Sequence, residues 1–501
     1  MTKFLFGLLM LLLLPLAGAD EKDPIPAMLE QVLPAVVTVV VEKTEMGNAL
    51  YGFAGGSAEA YGRVLDLAGA TSKGSGFLIR HDGHPYIVTN AHVIDSAADQ
   101  GGLFIYTLDQ TKYPVRVVGG DTFYDLAVLA FARDMPADDS RTLAFREDDI
   151  AVGERVFAIG NPLGDYPYSV SEGIIGGKNR FLDGGLTGKF GYLQSTATIT
   201  WGNSGGPLVD SAGRVVGINS KMRSEERGGQ EFVQSQLNFA LEAPLAQRLV
   251  RDILTHGGRV RRAFLGMEIA QYVPEKSPRT AGKLTSPLLV GVMPDSPAAA
   301  VLGDEQRGQR VVAVNSIKTR NVAEVLGVLE TVTPGAVVTL TLENRRGQAQ
   351  DFTLTSAELT TERLAAWAHY FLNRHGAAEA TEHKGVLRVR MVLSEDAENA
   401  AGERRGSQQV SLFVHESGKL QKQYLEGINH AALETLVILA GAYPDSFWRI
   451  RSLADFGIAV RLAALGGFVD LIPWKGDSGL LQVLRIDLTG ETGVSAKTLF
   501  Y

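Results

Sequence analysis

The sequence predicts a mainly β protein over its first half, with mixed α and β structure after it. Between residues 36 and 241, short apolar runs recur, each bounded by Gly, Pro, Asn or Asp, and short strands with such turns indicate a sandwich or a barrel. The first run, residues 36–41, is almost all valine, the residue type that fits a pleated and half-buried surface. The chain has 501 residues, 45% of them hydrophobic, which gives about three domains with real cores and excludes a disordered chain. Its 48 basic and 56 acidic residues leave a net charge of -8, which gives no reason to expect nucleic acid as a partner. There is no cysteine, so disulfides and thiolate metal sites are excluded.

In chain order, residues 1–19 carry one lysine, an apolar run over 4–16 and a small-x-small end at Ala17-Gly18-Ala19. That pattern matches a secretory signal peptide cleaved after Ala19. A membrane anchor is the alternative, but the run is shorter than the roughly 20 residues a spanning helix needs. No later run is long and uncharged enough to span, so the mature chain is expected to be soluble and exported. An amphipathic start (Met28, Leu29, Val32, Leu33) leads into the valine strand. Residues 42–73 then break the pattern with Gly, Ala and scattered aromatics, and a loop of that length is either functional or floppy. Strands are expected over 74–79, over 86–94 where the run ends in a short turn carrying His92, and over 113–118, 125–131, 156–159 and 168–175. The Gly-rich stretch 176–192 reads as a mobile loop. Residues 213–219 read as a strand, 224–229 as a charged loop, 238–241 as a closing strand and 244–254 as a helix.

Three stretches carry chemistry. Residues 201–209 read Trp-Gly-Asn-Ser-Gly-Gly-Pro-Leu-Val, where glycines permit a tight turn and close approach of a substrate carbonyl to main-chain N–H groups. The amides of Gly202 and Ser204, with Asn203 assisting, could bind the oxyanion of a tetrahedral intermediate. A serine hydroxyl needs a base, and the base needs an orienter. His92 follows an apolar strand within Thr89-Asn90-Ala91-His92-Val93, and Asp125 opens the run Asp125-Leu126-Ala127-Val128-Leu129. The order His, Asp, Ser is that of the chymotrypsin type.

These three blocks resemble the active-site blocks of the HtrA (DegP-like) serine proteases. The resemblance implies a chymotrypsin/trypsin-like double β-barrel over residues 20–258, with His92 and Asp125 from the first barrel and Ser204 from the second. It also implies that the loop at 42–73 takes part in assembly, that loops near 176–192 switch the site on, and that the protein forms trimers. Thr198 and Ile199 stand where the floor of the main side-chain pocket is expected. No carboxylate is there, so a small or medium aliphatic residue before the scissile bond is favoured. Trp201 is bulkier than the family's usual residue at its position.

Residues 259–356 resemble an α+β PDZ domain. Phe264-Leu265-Gly266-Met267 matches its carboxylate-binding loop, residues 321–332 its long helix, and 337–342 with 352–354 its closing strands. Gly308-Gln309 departs from the usual Gly-Asp. Peptide C-termini would bind there by adding a strand. Residues 357–501 form a further α+β domain of no recognised motif, with helices expected over 358–374 and 428–442 and strands over 387–393, 410–414 and 484–488. Its histidines show no metal-ligand spacing, and no metal or cofactor is expected. The sequence thus leads to an exported, ATP-independent serine endopeptidase acting on unfolded or damaged envelope proteins, in the periplasm or otherwise outside the cytoplasm. The alternatives are a PDZ-mediated binding protein on an idle protease fold, or a regulatory protease with one substrate.

Overall fold

The computed structural model describes residues 23–43, 71–94, 101–121, 123–133, 141–161, 166–180, 191–227, 230–272, 286–375, 380–383, 386–392, 409–415, 434–442, 446–449, 453–463, 468–474, 484–487 and 496–501. The expected signal peptide, most of the 42–73 loop and residues 181–190 lie outside these.

Helix α1 (Pro24–Val32) starts where Asp23 accepts the Ile25 N–H at 3.1 Å, with proline at its first position. It buries Ile25, Met28 and Val32 and delivers the chain to the first barrel. That barrel closes in the order β1 (Val36–Lys43), β2 (Thr71–His81), β3 (His84–Thr89), β6 (Leu126–Phe131), β5 (Lys112–Asp121) and β4 (Gly101–Tyr106), with a one-turn helix α2 (Ala91–Ile94) after β3. The second barrel closes as β10 (Pro207–Asp210), β11 (Val215–Arg227), β12 (Gln230–Glu242), β9 (Tyr192–Ser195), β8 (Ser169–Arg180) and β7 (Arg155–Gly160).

The two-residue pleat lets one strand serve both interiors. In β7, Val156 and Ala158 fill the second barrel, whereas Phe157 and Ile159 join the cluster that runs through the first barrel. In β10, Leu208 and Val209 divide the same way. Helix α3 (Ala243–Thr255) packs Leu245, Leu249, Val250 and Ile253 into that shared cluster and so seals the seam between the barrels. The two barrels of the expected fold are both present. Two expectations are corrected: residues 176–180 are not loop, because β8 runs on to Arg180 and pairs it with Tyr192, and residues 224–227 are not loop, because β11 and β12 continue as a long hairpin with Arg227 opposite Gln230.

After α3, β13 (Ala263–Phe264) pairs with β20 (Ala357–Glu358). The next sheet runs β19 (Ala349–Thr355), β18 (Val337–Glu343), β16 (Arg310–Val314), β15 (Leu288–Val292), β14 (Met267–Tyr272) and β28 (Ala496–Phe500), with β17 (Ile317–Lys318) beside β16. Helix α4 (Val322–Leu329), capped by Asn321, buries Val322, Val325, Leu326 and Leu329 against it. The last of the described strands, β28, is therefore the edge strand of a sheet whose other members end some 140 residues earlier.

A final sheet runs β21 (Ala380–His383), β22 (Val386–Val392), β23 (Gln409–His415), β24 (Glu434–Ala442), β26 (Phe468–Trp474) and β27 (Leu484–Asp487), with β25 (Ser446–Arg449) beside β24. The helix expected over 428–442 is corrected here: residues 434–442 form the strand β24, paired parallel to β23 and antiparallel to β26. A continuous apolar run lacks the polar stripe that would tell a helix from a buried strand. Helices α5 (Thr361–His375) and α6 (Leu453–Ala463) cross at Gly457, where an added Cβ would lie 2.2 Å from the Leu364 carbonyl oxygen. Among the described residues no helix is long and apolar enough to cross a membrane.

Candidate active site

His92 is placed by α2, whose Val93 and Ile94 are buried and hold the turn down, leaving the imidazole 36% exposed. Asp125 sits on the turn before β6 with φ at 55°, a left-handed conformation that Asp tolerates better than most residues. Its carboxylate receives two bonds from one residue: His92 Nδ1 lies 2.6 Å from Oδ2, and the His92 backbone N–H donates to Oδ1 at 2.9 Å. Asn90 Nδ2 donates to the Asp125 carbonyl at 2.7 Å, which fixes the backbone of the same residue. A carboxylate can only accept, so Nδ1 carries the proton and Nε2 presents its lone pair.

Ser204 lies on the turn before β10. Gly202 and Gly205 have φ of 95° and 85°, where a side chain would strain the backbone. A Cβ on Gly205 would come within 2.2 Å of the Ser75 carbonyl oxygen and 2.3 Å of Thr89 Oγ1, so glycine is also required by space. The turn is held from the first barrel by β2. Ser75 N–H donates to the Ser204 carbonyl at 2.9 Å, and Ser75 Oγ donates to the Gly202 carbonyl at 2.7 Å while accepting the Asn161 N–H at 2.8 Å. Thr89 Oγ1 in turn donates to the Ser75 carbonyl at 2.7 Å.

Three amides were expected at the oxyanion position, and they fall into two groups. The Asn203 N–H is committed to the Thr200 carbonyl at 3.1 Å, which corrects its assisting role. The Gly202 and Ser204 amides make no hydrogen bond among the described residues. Ser204 Oγ donates to the Ser220 carbonyl at 3.2 Å, and Ser220 Oγ donates to Asp125 Oδ2 at 3.4 Å. Ser220 thus links the carboxylate from one barrel to the serine of the other.

Of the two pocket residues, Thr198 is exposed, whereas Ile199 is 2% exposed and packs inside the second barrel with Ala197 and Leu208. Ile199 is therefore corrected from a pocket-floor residue to a core residue: alternate residues turn inward here. In the 264–267 loop, Phe264, Leu265 and Met267 bury their side chains, and Gly266 has φ of 80°. Both the Gly266 and the Met267 N–H donate to the main-chain oxygen of Tyr501 at 2.8 Å. Sequence reasoning missed Ser75, Asn90 and Ser220 as supports of the site. Ser75 and Asn90 stand in stretches that were singled out, but only barrel closure shows what they hold.

A family model described as a trypsin-like peptidase domain matches residues 74–218, the span that carries His92, Asp125 and Ser204. Fold and match together define a trypsin-like peptidase. Protease Do-like 1, chloroplastic, of Arabidopsis thaliana is 34% identical over 279 residues, which are 53% of this chain and 60% of that protein. A probable periplasmic serine endoprotease DegP-like of Halomonas elongata is 32% identical over 361 residues, 68% of this chain and 72% of that one. Among solved structures, the HtrA-type protease AlgW with tripeptide matches in fold, at a TM-score of 0.51 and 24% identity, over 67% of this chain and 97% of its own. The chain belongs to the DegP-like serine endoproteases.

Proposed function

We propose that this chain hydrolyses peptide bonds through His92, Asp125 and Ser204. The observation that carries the reading is the 2.6 Å contact of His92 Nδ1 with a carboxylate that also holds the His92 backbone. Ser204 Oγ exchanges its bond to Ser220 for one to His92 Nε2, loses its proton there and attacks the substrate carbonyl. The Gly202 and Ser204 amides meet the negative charge that forms. The imidazolium, held by Asp125, then gives its proton to the leaving amine, and water reverses the sequence on the acyl-enzyme. The substrates are unfolded or damaged proteins, met after export of a mature chain beginning near residue 20. A trimer is the expected assembly.

Residues 259–356 serve as a PDZ domain that captures peptide C-termini at the 264–267 loop, and the sheet they form is supplied with its edge by residues 496–500. The test is casein digestion with and without Ser204→Ala, which should cut turnover by roughly 10⁵ to 10⁶. A serine-directed organophosphonate should label Ser204 in the parent protein. Digestion at near-parent rates by the variant would end the assignment.

A further inference from the structure

Strand β28 lies antiparallel on β14, with Glu268 opposite Phe500, Ala270 opposite Thr498 and Tyr272 opposite Ala496. Tyr501, which follows that strand, is held at its N–H, its main-chain oxygen and its phenol. Its main-chain oxygen accepts the Gly266 and Met267 amides, both at 2.8 Å, and its own N–H donates to the Met267 carbonyl at 3.0 Å. The side chain is 1% exposed, inside the cluster formed by β14 and α4. Its phenol donates to the Leu329 carbonyl at the last turn of α4, 2.9 Å away. The Arg461 guanidinium of α6 stands 5.5 Å from the ring centroid. An extended segment added to a sheet edge, with one main-chain oxygen on two successive amides and that residue's side chain in a pocket, is bound as a peptide ligand is bound by β-augmentation.

We propose that residues 496–501 are a built-in ligand of the β14–α4 groove, that the groove is selective for peptide termini ending in tyrosine, and that an incoming terminus must displace this segment. The proposal rests on the PDZ reading above and goes beyond it by naming the resting occupant and the preferred last residue. The selectivity comes from Leu329, whose carbonyl asks for a phenolic hydroxyl, and from Arg461, which faces an aromatic ring. Tethering puts the segment at an effective concentration of up to millimolar order. A peptide from outside therefore sees an affinity reduced by the small fraction of open grooves.

The test uses the whole chain and a synthetic peptide, Ala-Lys-Thr-Leu-Phe-Tyr, with a free carboxylate. Saturating peptide should speed amide hydrogen exchange of residues 496–501 by about tenfold or more while β14 stays protected, since one strand replaces another. Labelled peptide should bind Tyr501→Ala, and a chain lacking 496–501, about tenfold or more tighter than it binds the parent. A peptide ending in phenylalanine should bind those variants about fivefold more weakly than one ending in tyrosine. Equal tight binding to parent and variants would remove the built-in ligand and leave the PDZ reading standing. If no peptide binds any of the three and exchange of 496–501 is unmoved, the segment is a structural strand and both readings fail. Equal affinity for peptides ending in phenylalanine and tyrosine would overturn the selectivity.

Discussion

Asp125 shows how much one residue must satisfy for the chemistry to run. Its left-handed backbone, the Asn90 bond to its carbonyl and the two bonds from His92 leave its carboxylate one orientation. Asn at this position would keep the shape but present an amide to Nδ1, favouring the wrong tautomer of the imidazole. Asp125→Asn is therefore expected to fold normally and lose about 10⁴ in kcat with little change in KM, checked by steady-state kinetics on a peptide substrate. The three residues of the proposed triad each stand in a distinctive block of the sequence. Ser220, which bridges Asp125 and Ser204, does not. Its role is created by strand β11 passing beside a carboxylate 95 residues earlier in the chain, and nothing in its own neighbourhood announces that. Ile199 failed for a related reason, since the offset from the nucleophile locates a residue but not which way it faces.

Among the elements, those bounded by strong turn chemistry were readable and those made of unbroken apolar residues were not. Five of the first barrel's six strands stood out between Gly, Pro and Asp, β4 being missed, whereas residues 434–442 gave no period to choose between helix and strand. The β11–β12 hairpin was hidden by its charged tip, because a run of charged residues with no apolar alternation reads as a loop. The junction of β12 with α3 carries an effect that titrates. Glu242 is buried there, and burial pushes its carboxyl up to about 7, with a Gly191 N–H bond at 3.1 Å opposing part of the rise. A carboxyl raised on folding favours the folded state fully below its unfolded value near 4.5, and that contribution is lost as pH rises through about 7. Denaturant midpoints should therefore fall between pH 4.5 and 8, by a contribution on the order of 3 kcal/mol. Glu242→Gln should flatten that slope while matching the parent at low pH. A parent and variant with parallel pH profiles would show that Glu242 titrates normally.

At the scale of the whole molecule, the barrels and the following sheet meet at a buried ionic joint. Arg262 reaches both oxygens of Asp121 at 2.5 and 3.0 Å and Glu330 at 3.1 Å, and Arg248 reaches Glu330 at 2.9 Å. Phe123 and Tyr124 stack against the Arg262 guanidinium from the loop that leads to Asp125. The opposed carboxylates keep Arg262 firmly charged despite its burial. Asp121 also accepts the Tyr124 N–H at 3.0 Å, so one carboxylate serves the joint and the backbone next to the triad. None of this was legible beforehand, because the partners are separated by 141 and 68 residues and each looks like an ordinary surface charge. Arg262→Ala would leave two carboxylates buried without their shared cation, at a cost of about 3–5 kcal/mol. The sheet around α4 should then unfold in a separate, earlier calorimetric transition, and peptidase kcat should fall by up to about 10²-fold as the Asp125 loop loses its brace. A variant that lost the single transition but kept full kcat would place the brace elsewhere, and one that kept both would mean the joint is solvated in solution.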